Sequence, residues 1–250
     1  MKQTGRSRGR LCVRFGGVVF LLLAGGQAQA ASLDPLQSTP VVQPEVGKAP
    51  PLERWAGRQV VLGEQSFTLV GTVDTRAESY VLADVRRYPD RYVLTQYTCR
   101  VDLAEVAGVS AEMSDASAQS VPAVTIEIPR AEDGTLKPVR WVADWGRSDL
   151  DGDGYPGLTV ASGAPFCGGD LYLSSRTTTK AFVFERDRAL EASVDVTVEQ
   201  SIMDTSNVCL DLATSDSTES VTGRVKYVPV KNSATCASLL REGWPVAAPL

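Results

Sequence analysis

Asp149, Asp151 and Asp153 stand at alternate positions in the run Asp-Leu-Asp-Gly-Asp-Gly-Tyr-Pro-Gly-Leu-Thr-Val over residues 149–160. Hard cations such as Ca²⁺ take several oxygens at once, and a loop bent at Gly152 and Gly154 can aim three carboxylates at one point. Without a cation, three such charges repel one another. Tyr155 follows where its backbone carbonyl can add a ligand, and Asp144 or Asp170 can complete the shell. The sequence therefore predicts a calcium site at Asp149, Asp151, Asp153 and Tyr155, with the ion in a structural role. The plainer alternative is an acidic tight turn, since Asp-Gly pairs turn without metal.

A second constellation flanks the loop. Trp141, Asp144 and Trp145 precede it, and Tyr155, Asp170 and Tyr172 lie within or beyond it. Exposed, these would form a sugar-binding floor with Asp144 and Asp170 as a glycosidase pair; buried, the tryptophans are core and the acids support the loop. The second reading is favoured, so no catalytic residue is assigned. Arg86, Arg87 and Arg91 beside Tyr88 and Tyr92 read as a solvated hairpin tip. The chain has no histidine, which excludes a Ser-His-Asp triad, a Cys-His pair and His-ligated zinc. Glycine-rich phosphate loops and nucleophile elbows are absent as well.

The N-terminal residues read as an export signal. Lys2, Arg6, Arg8, Arg10 and Arg14 precede an apolar run, 15–24, and Ala28-Gln29-Ala30 is a signal-peptidase site. The run is short for a bilayer span, and no cysteine follows the cleavage point to carry a lipid. The expectation is a protein in the periplasm or outside the cell, with no transmembrane segment after cleavage. Five of the 25 Lys+Arg and none of the 30 Asp+Glu lie in the signal, leaving 20 bases against 30 acids, a net −10. Nucleic acid is excluded as a partner for so acidic a chain; an unidentified ligand or envelope component is expected instead. Cys12 leaves with the signal. Cys99, Cys167, Cys209 and Cys236 remain, an even set that reads as two disulfides in an oxidising compartment. Of three connectivities, Cys167–Cys209 with Cys99–Cys236 is favoured.

Positioning falls to strands. Five prolines mark residues 31–52 as an extended spacer, and residues 53–250 have the length of a single β-rich domain. Leu190, Ala192, Val194, Val196 and Val198 alternate with Glu191, Ser193, Asp195, Thr197 and Glu199, the pattern of a half-buried strand. Similar runs occur at 66–73, 92–103, 123–129, 170–174, 180–185 and 221–230. Turns are expected at 87–91 and at Asp133-Gly134, and exposed loops at the Ser/Thr-rich stretches 174–179 and 214–220. The fold class is mainly β, an antiparallel barrel or two-sheet sandwich. One short C-terminal helix is expected over 233–241 with Ser233 as N-cap, and a weaker helical signal covers 103–107. Sparse aromatics argue against a membrane barrel, whose interfaces carry aromatic girdles.

The acidic loop resembles EF-hand calcium loops. Counting Asp149 as position 1, carboxylates fall at 1, 3 and 5, Gly154 at 6 and Tyr155 at 7, but Val160 replaces the bidentate glutamate of position 12. It also resembles FG-GAP repeats, with Gly157 where these place a further Asp; Ala164-Pro165-Phe166 and Gly168-Gly169-Asp170-Leu171-Tyr172 extend that likeness. One repeat cannot build a propeller. More widely, the loop, a following Cys and Tyr-containing strand, Glu199-Gln200 and Ala234-Thr235-Cys236 resemble an uncharacterised family of exported myxobacterial proteins, which implies export and a shared domain but no activity. The chain is thus expected to be a calcium-stabilised secreted β domain with a binding or scaffolding role. The alternatives are a lipocalin-like carrier of small ligands or a carboxylate-based polysaccharide hydrolase.

Overall fold

The structure is a computed structural model that describes residues 49–67, 71–106 and 108–249. The segment read as an export signal and most of the one read as a spacer lie outside the described residues. Ten strands form one antiparallel sheet: β1 (Glu53–Phe67), β2 (Gly71–Arg87), β3 (Arg91–Leu103), β4 (Ala111–Glu112), β5 (Val124–Pro129), β6 (Val139–Trp145), β7 (Leu158–Ser162), β8 (Gly169–Arg186), β9 (Ala189–Thr205) and β10 (Ser217–Val230). Their order is β4-β7-β8-β9-β10-β1-β2-β3-β5, and β6 also pairs with β8. β6 meets residues 175–181 of β8 and β7 meets 169–173, so the two short strands lie end to end along one edge of the long one. The sheet curls into a half-barrel. At the seam between β5 and β6, Arg130 bridges to Leu136 in the backbone and its side chain reaches Glu185 of β8 at 3.1 Å.

Period-2 alternation decides what faces inward. β5 reads buried-exposed throughout, and β9 buries Ala192, Val194, Val196 and Val198 in alternation, because successive side chains of a strand point to opposite faces. Trp55, Trp145, Leu94, Leu158, Leu171, Leu173 and Leu190 are fully buried in this core; each such side chain contributes about 1.5–3 kcal/mol relative to exposure. Among the described residues the interior is filled: a void of only about 20 Å³ lies among Leu94, Ile126, Trp141, Leu190 and Tyr227, room for little more than one water.

Residues 174–179 are not an exposed loop. They run through β8, with Ser175, Thr177 and Thr179 buried beside Gln200 and Val196 of β9. Hydroxylated side chains look like loop residues, yet threonine is β-branched and favours strands. Likewise 217–220 opens β10, and the run 66–73 is the β1–β2 connection rather than a strand of its own; residues 68–70 lie outside the described residues.

Among the described residues three short helices are present, the expected C-terminal one and two others. α1 (Asp115–Ser120) and α2 (Val208–Ala213) start on Ser114 and Asn207, whose side chains accept Ser117 and Leu210 backbone N–H groups. α3 (Cys236–Glu242) is the expected C-terminal helix, but its N-cap is Thr235, with Ser238 closing a capping box; Ser233 lies before it. The N-cap moves because only Thr235 has a hydroxyl partner three residues on. Residues 103–106 are strand end and β-bridge, not helix. α3 and the tail cover the outer face of β1–β3, burying Ala56, Leu82, Leu239 and Val246. Trp244 Nε1 donates to the Gly57 carbonyl at 3.0 Å. Cys99–Cys236 ties this layer to β3, and Cys167–Cys209 ties the β7–β8 connection to α2. Among the described residues no helix is long and apolar enough to cross a membrane.

Candidate metal site

The three aspartates sit in the connection between β6 and β7, and the core grips both of its ends. On one side Trp145 is buried and its Nε1 donates to the Leu173 carbonyl at 3.3 Å; on the other Leu158 and Val160 are buried in β7. The neck is closed by Gly157 N–H to Ser148 O at 3.0 Å and Leu150 N–H to Gly157 O at 3.1 Å. Gly157 has φ +84°, and a Cβ there would lie 2.1 Å from the Leu173 carbonyl oxygen, so no side chain fits. Gly152 and Gly154 also take positive φ, 76° and 91°, as a loop this tight requires.

Inside this frame a carboxylate oxygen from each of Asp149, Asp151 and Asp153 lies within 4.8 Å of the others. Asp149 accepts Gly152 N–H at 2.7 Å and Gly154 N–H at 2.9 Å. Asp153 accepts Tyr155 N–H at 2.8 Å and the Thr159 hydroxyl. Asp151 Oδ2 accepts Thr159 N–H at 3.0 Å, while its Oδ1 is buried and has no partner. Among the described residues no Lys or Arg is paired with any of the three. Oxygens this close can share one ion with Ca–O distances of about 2.3–2.6 Å. The donor set, three carboxylates with no sulfur or nitrogen, suits a hard cation.

The other predicted residues are distributed differently. Tyr155 donates its N–H to Asp153, and its ring stacks on Tyr172 with centroids 4.1 Å apart. Burial, with Tyr155, Asp170 and Asp153 nearby, pushes the Tyr172 hydroxyl up to about 12. Asp144 is exposed on β6, pairs with Arg176 at 3.6 Å, and is not in the cluster. Asp170 opens β8, six residues before Arg176, or roughly 20 Å along a strand. Glycosidase carboxylates stand about 5–9.5 Å apart, so these two do not make such a pair. Trp141 and Trp145 face the barrel interior with Thr179 and Ser175 opposite. At the hairpin tip Arg87 lies over Trp55 at 4.9 Å and reaches Glu53 at 3.0 Å, and Arg91 lies over Tyr88 at 4.5 Å. Arg86 is exposed.

Comparison with family models, with curated proteins and with solved structures gives no match for this chain. The departures from an EF-hand have a structural cause. The chain enters β7 before position 12, so Val160 turns into the core opposite Leu171 instead of toward the loop. At position 9, Gly157 meets backbone and leaves no room for an acid.

Thr159, at the site, and Glu219, elsewhere in the sheet, were not singled out from sequence. Thr159 holds both Asp151 and Asp153, and its signal was its place just past the glycines. Glu219, in β10, shares the inward parity of Val221, Val225 and Tyr227, and burial pushes its carboxyl up to about 7.

Proposed function

We propose that this is an exported β domain whose 149–153 loop holds Ca²⁺ as a structural ion, and that the domain serves a binding or scaffolding role at the envelope or outside the cell. The observation that carries the metal is Asp151 Oδ1, a buried carboxylate oxygen without a partner inside a cluster of three. A charged oxygen left so is costly, and a cation there would satisfy it and remove the mutual repulsion. Asp149, Asp151 and Asp153 would hold the ion, which would order the connection between β6 and β7. Lacking a bidentate glutamate, the site should bind weakly, on the order of 10⁻⁴–10⁻³ M, as extracellular modules do.

Two disulfides support an oxidising compartment. The filled interior supports scaffolding over ligand carriage, and the separation of Asp144 from Asp170 supports binding over hydrolysis. Isothermal titration of calcium into chelator-treated protein tests the metal. A saturable heat near one ion per chain is expected; no heat at millimolar calcium would remove the site.

A further inference from the structure

Among the described residues ten large apolar side chains are exposed, and three of them stand well above the rest. Phe166 is fully exposed, and Val208 and Leu212 are 74% and 72% exposed. They converge on one surface. Val208 and Leu212 are four residues apart on α2 and share a helix face. Phe166 and Val208 each adjoin a half of the Cys167–Cys209 disulfide, whose Cα atoms are 5.6 Å apart. Asn207 Nδ2 donates to the Gly168 carbonyl at 3.0 Å, fastening the connection to the start of α2.

Phe166 also has φ +66°, a conformation uncommon for a non-glycine residue and strained for a bulky one. The backbone is thus held in an unfavourable state while the side chain it carries packs against nothing within the protein.

The charged residues of the segments that meet at this patch have one sign. Residues 163–172 and 203–216 hold Asp170, Asp204, Asp211 and Asp216 and no Lys or Arg. Asp204 and Asp211 are exposed on the end of β9 and on α2, and Asp216, also exposed, follows α2. An apolar contact with an acidic rim is complementary to an apolar contact with a basic rim, and it repels an anionic bilayer.

We infer that Phe166, Val208 and Leu212 form a docking surface for a cationic amphipathic protein segment, one that presents apolar side chains flanked by Lys or Arg. This deepens the binding role proposed above and rests on it, but not on the metal. The apolar anchors would supply the contact, and the acidic rim the steering and the choice of partner.

The test titrates a short Leu/Lys amphipathic peptide into the protein, with a Leu/Glu peptide of the same pattern and phosphatidylglycerol vesicles as alternatives. It compares wild type with the triple variant Phe166→Ser, Val208→Ser, Leu212→Ser, which leaves every charge in place. The pair Phe182→Ser, Phe184→Ser, exposed on β8, serves as control. Saturable binding of the Leu/Lys peptide is expected, at least tenfold weaker in the triple variant, unchanged in the control and weakened by salt. Equal binding by the triple variant would reduce the effect to general acidity and overturn the proposal. So would equal binding of the Leu/Glu peptide, uptake by vesicles in place of the peptide, or a dimer that only the triple variant loses. Phe166→Ser alone removes no buried packing and keeps the comparison open if the triple variant misfolds. Loss of calcium heat with peptide binding intact would strike the metal reading and spare this one.

Discussion

Asp151→Asn separates metal binding from loop packing. In the wild-type loop Asp151 Oδ2 accepts Thr159 N–H at 3.0 Å, and an asparagine oxygen can keep that bond. The substitution removes one of three charges lying within 4.8 Å, each pair of which costs about 1 kcal/mol even at the dielectric of water. Without calcium the variant should therefore melt at or slightly above the wild-type temperature. With calcium the order should reverse. At about 10 mM calcium and a dissociation constant on the order of 10⁻⁴–10⁻³ M, mass action stabilises the wild type by about 1.4–2.7 kcal/mol. For a domain of this size each kcal/mol moves the melting point by roughly 2–4 °C, so a rise of about 3–10 °C is expected in the wild type and almost none in the variant. Differential scanning calorimetry across a calcium series, with magnesium in parallel, makes the measurement. A flat wild-type response, or a variant that rises equally, would refute the assignment. If the variant melts well below wild type in chelator, Asp151 is a packing residue whose charge the loop already accommodates.

Three further outcomes follow from the same structure. Glu219 carries a carboxyl raised from 4.5 to about 7 by burial. Below pH 4.5 it is neutral folded and unfolded; above 7 the fold must hold its charge, so stability should fall as pH rises between those values. The full shift would be worth about 3 kcal/mol, and partial exposure reduces this to about 1–2 kcal/mol; urea unfolding from pH 5 to 8 should show the loss in wild type and not in Glu219→Gln. Gly157→Ala should cost more than 2 kcal/mol, on the order of an overpacked backbone contact at positive φ, and should abolish calcium heat, with thermal melts and calorimetry as readouts. Replacing Cys99 and Cys236 together by serine, a separation of 137 residues, should destabilise by about 5 kcal/mol, against about 4 for Cys167 and Cys209 at a separation of 42; equal losses in denaturant melts would show that native contacts, not loop length, set the scale.

What could be read in advance was whatever is local. Alternation at 190–199 located β9, and Asp133-Gly134 located a turn that Gly134 takes at φ +86° with Asp133 accepting the Thr135 N–H. The three aspartates could be grouped because the first and the last stand only four positions apart in the chain. The long-range facts were not available in this way. Nothing in 174–179 says that Ser175, Thr177 and Thr179 face inward, since that is fixed by pairing with β6 and β9.

The same distinction explains how the calcium-loop comparison misleads at its far end. Position counting treats 149–160 as one ligand-bearing loop, but only 149–157 is loop. From Leu158 onward the chain obeys β7, where alternation puts Leu158 and Val160 in the core and leaves Thr159 facing the aspartates. An acid at 160 would place an unpaired charge among Leu171 and its neighbours, at a cost no weak ion could offset. The absence of a twelfth-position ligand is therefore a consequence of the sheet. An ion held here has to draw its remaining oxygens from backbone and water, and the weak affinity expected of it follows from the fold as much as from the count of carboxylates.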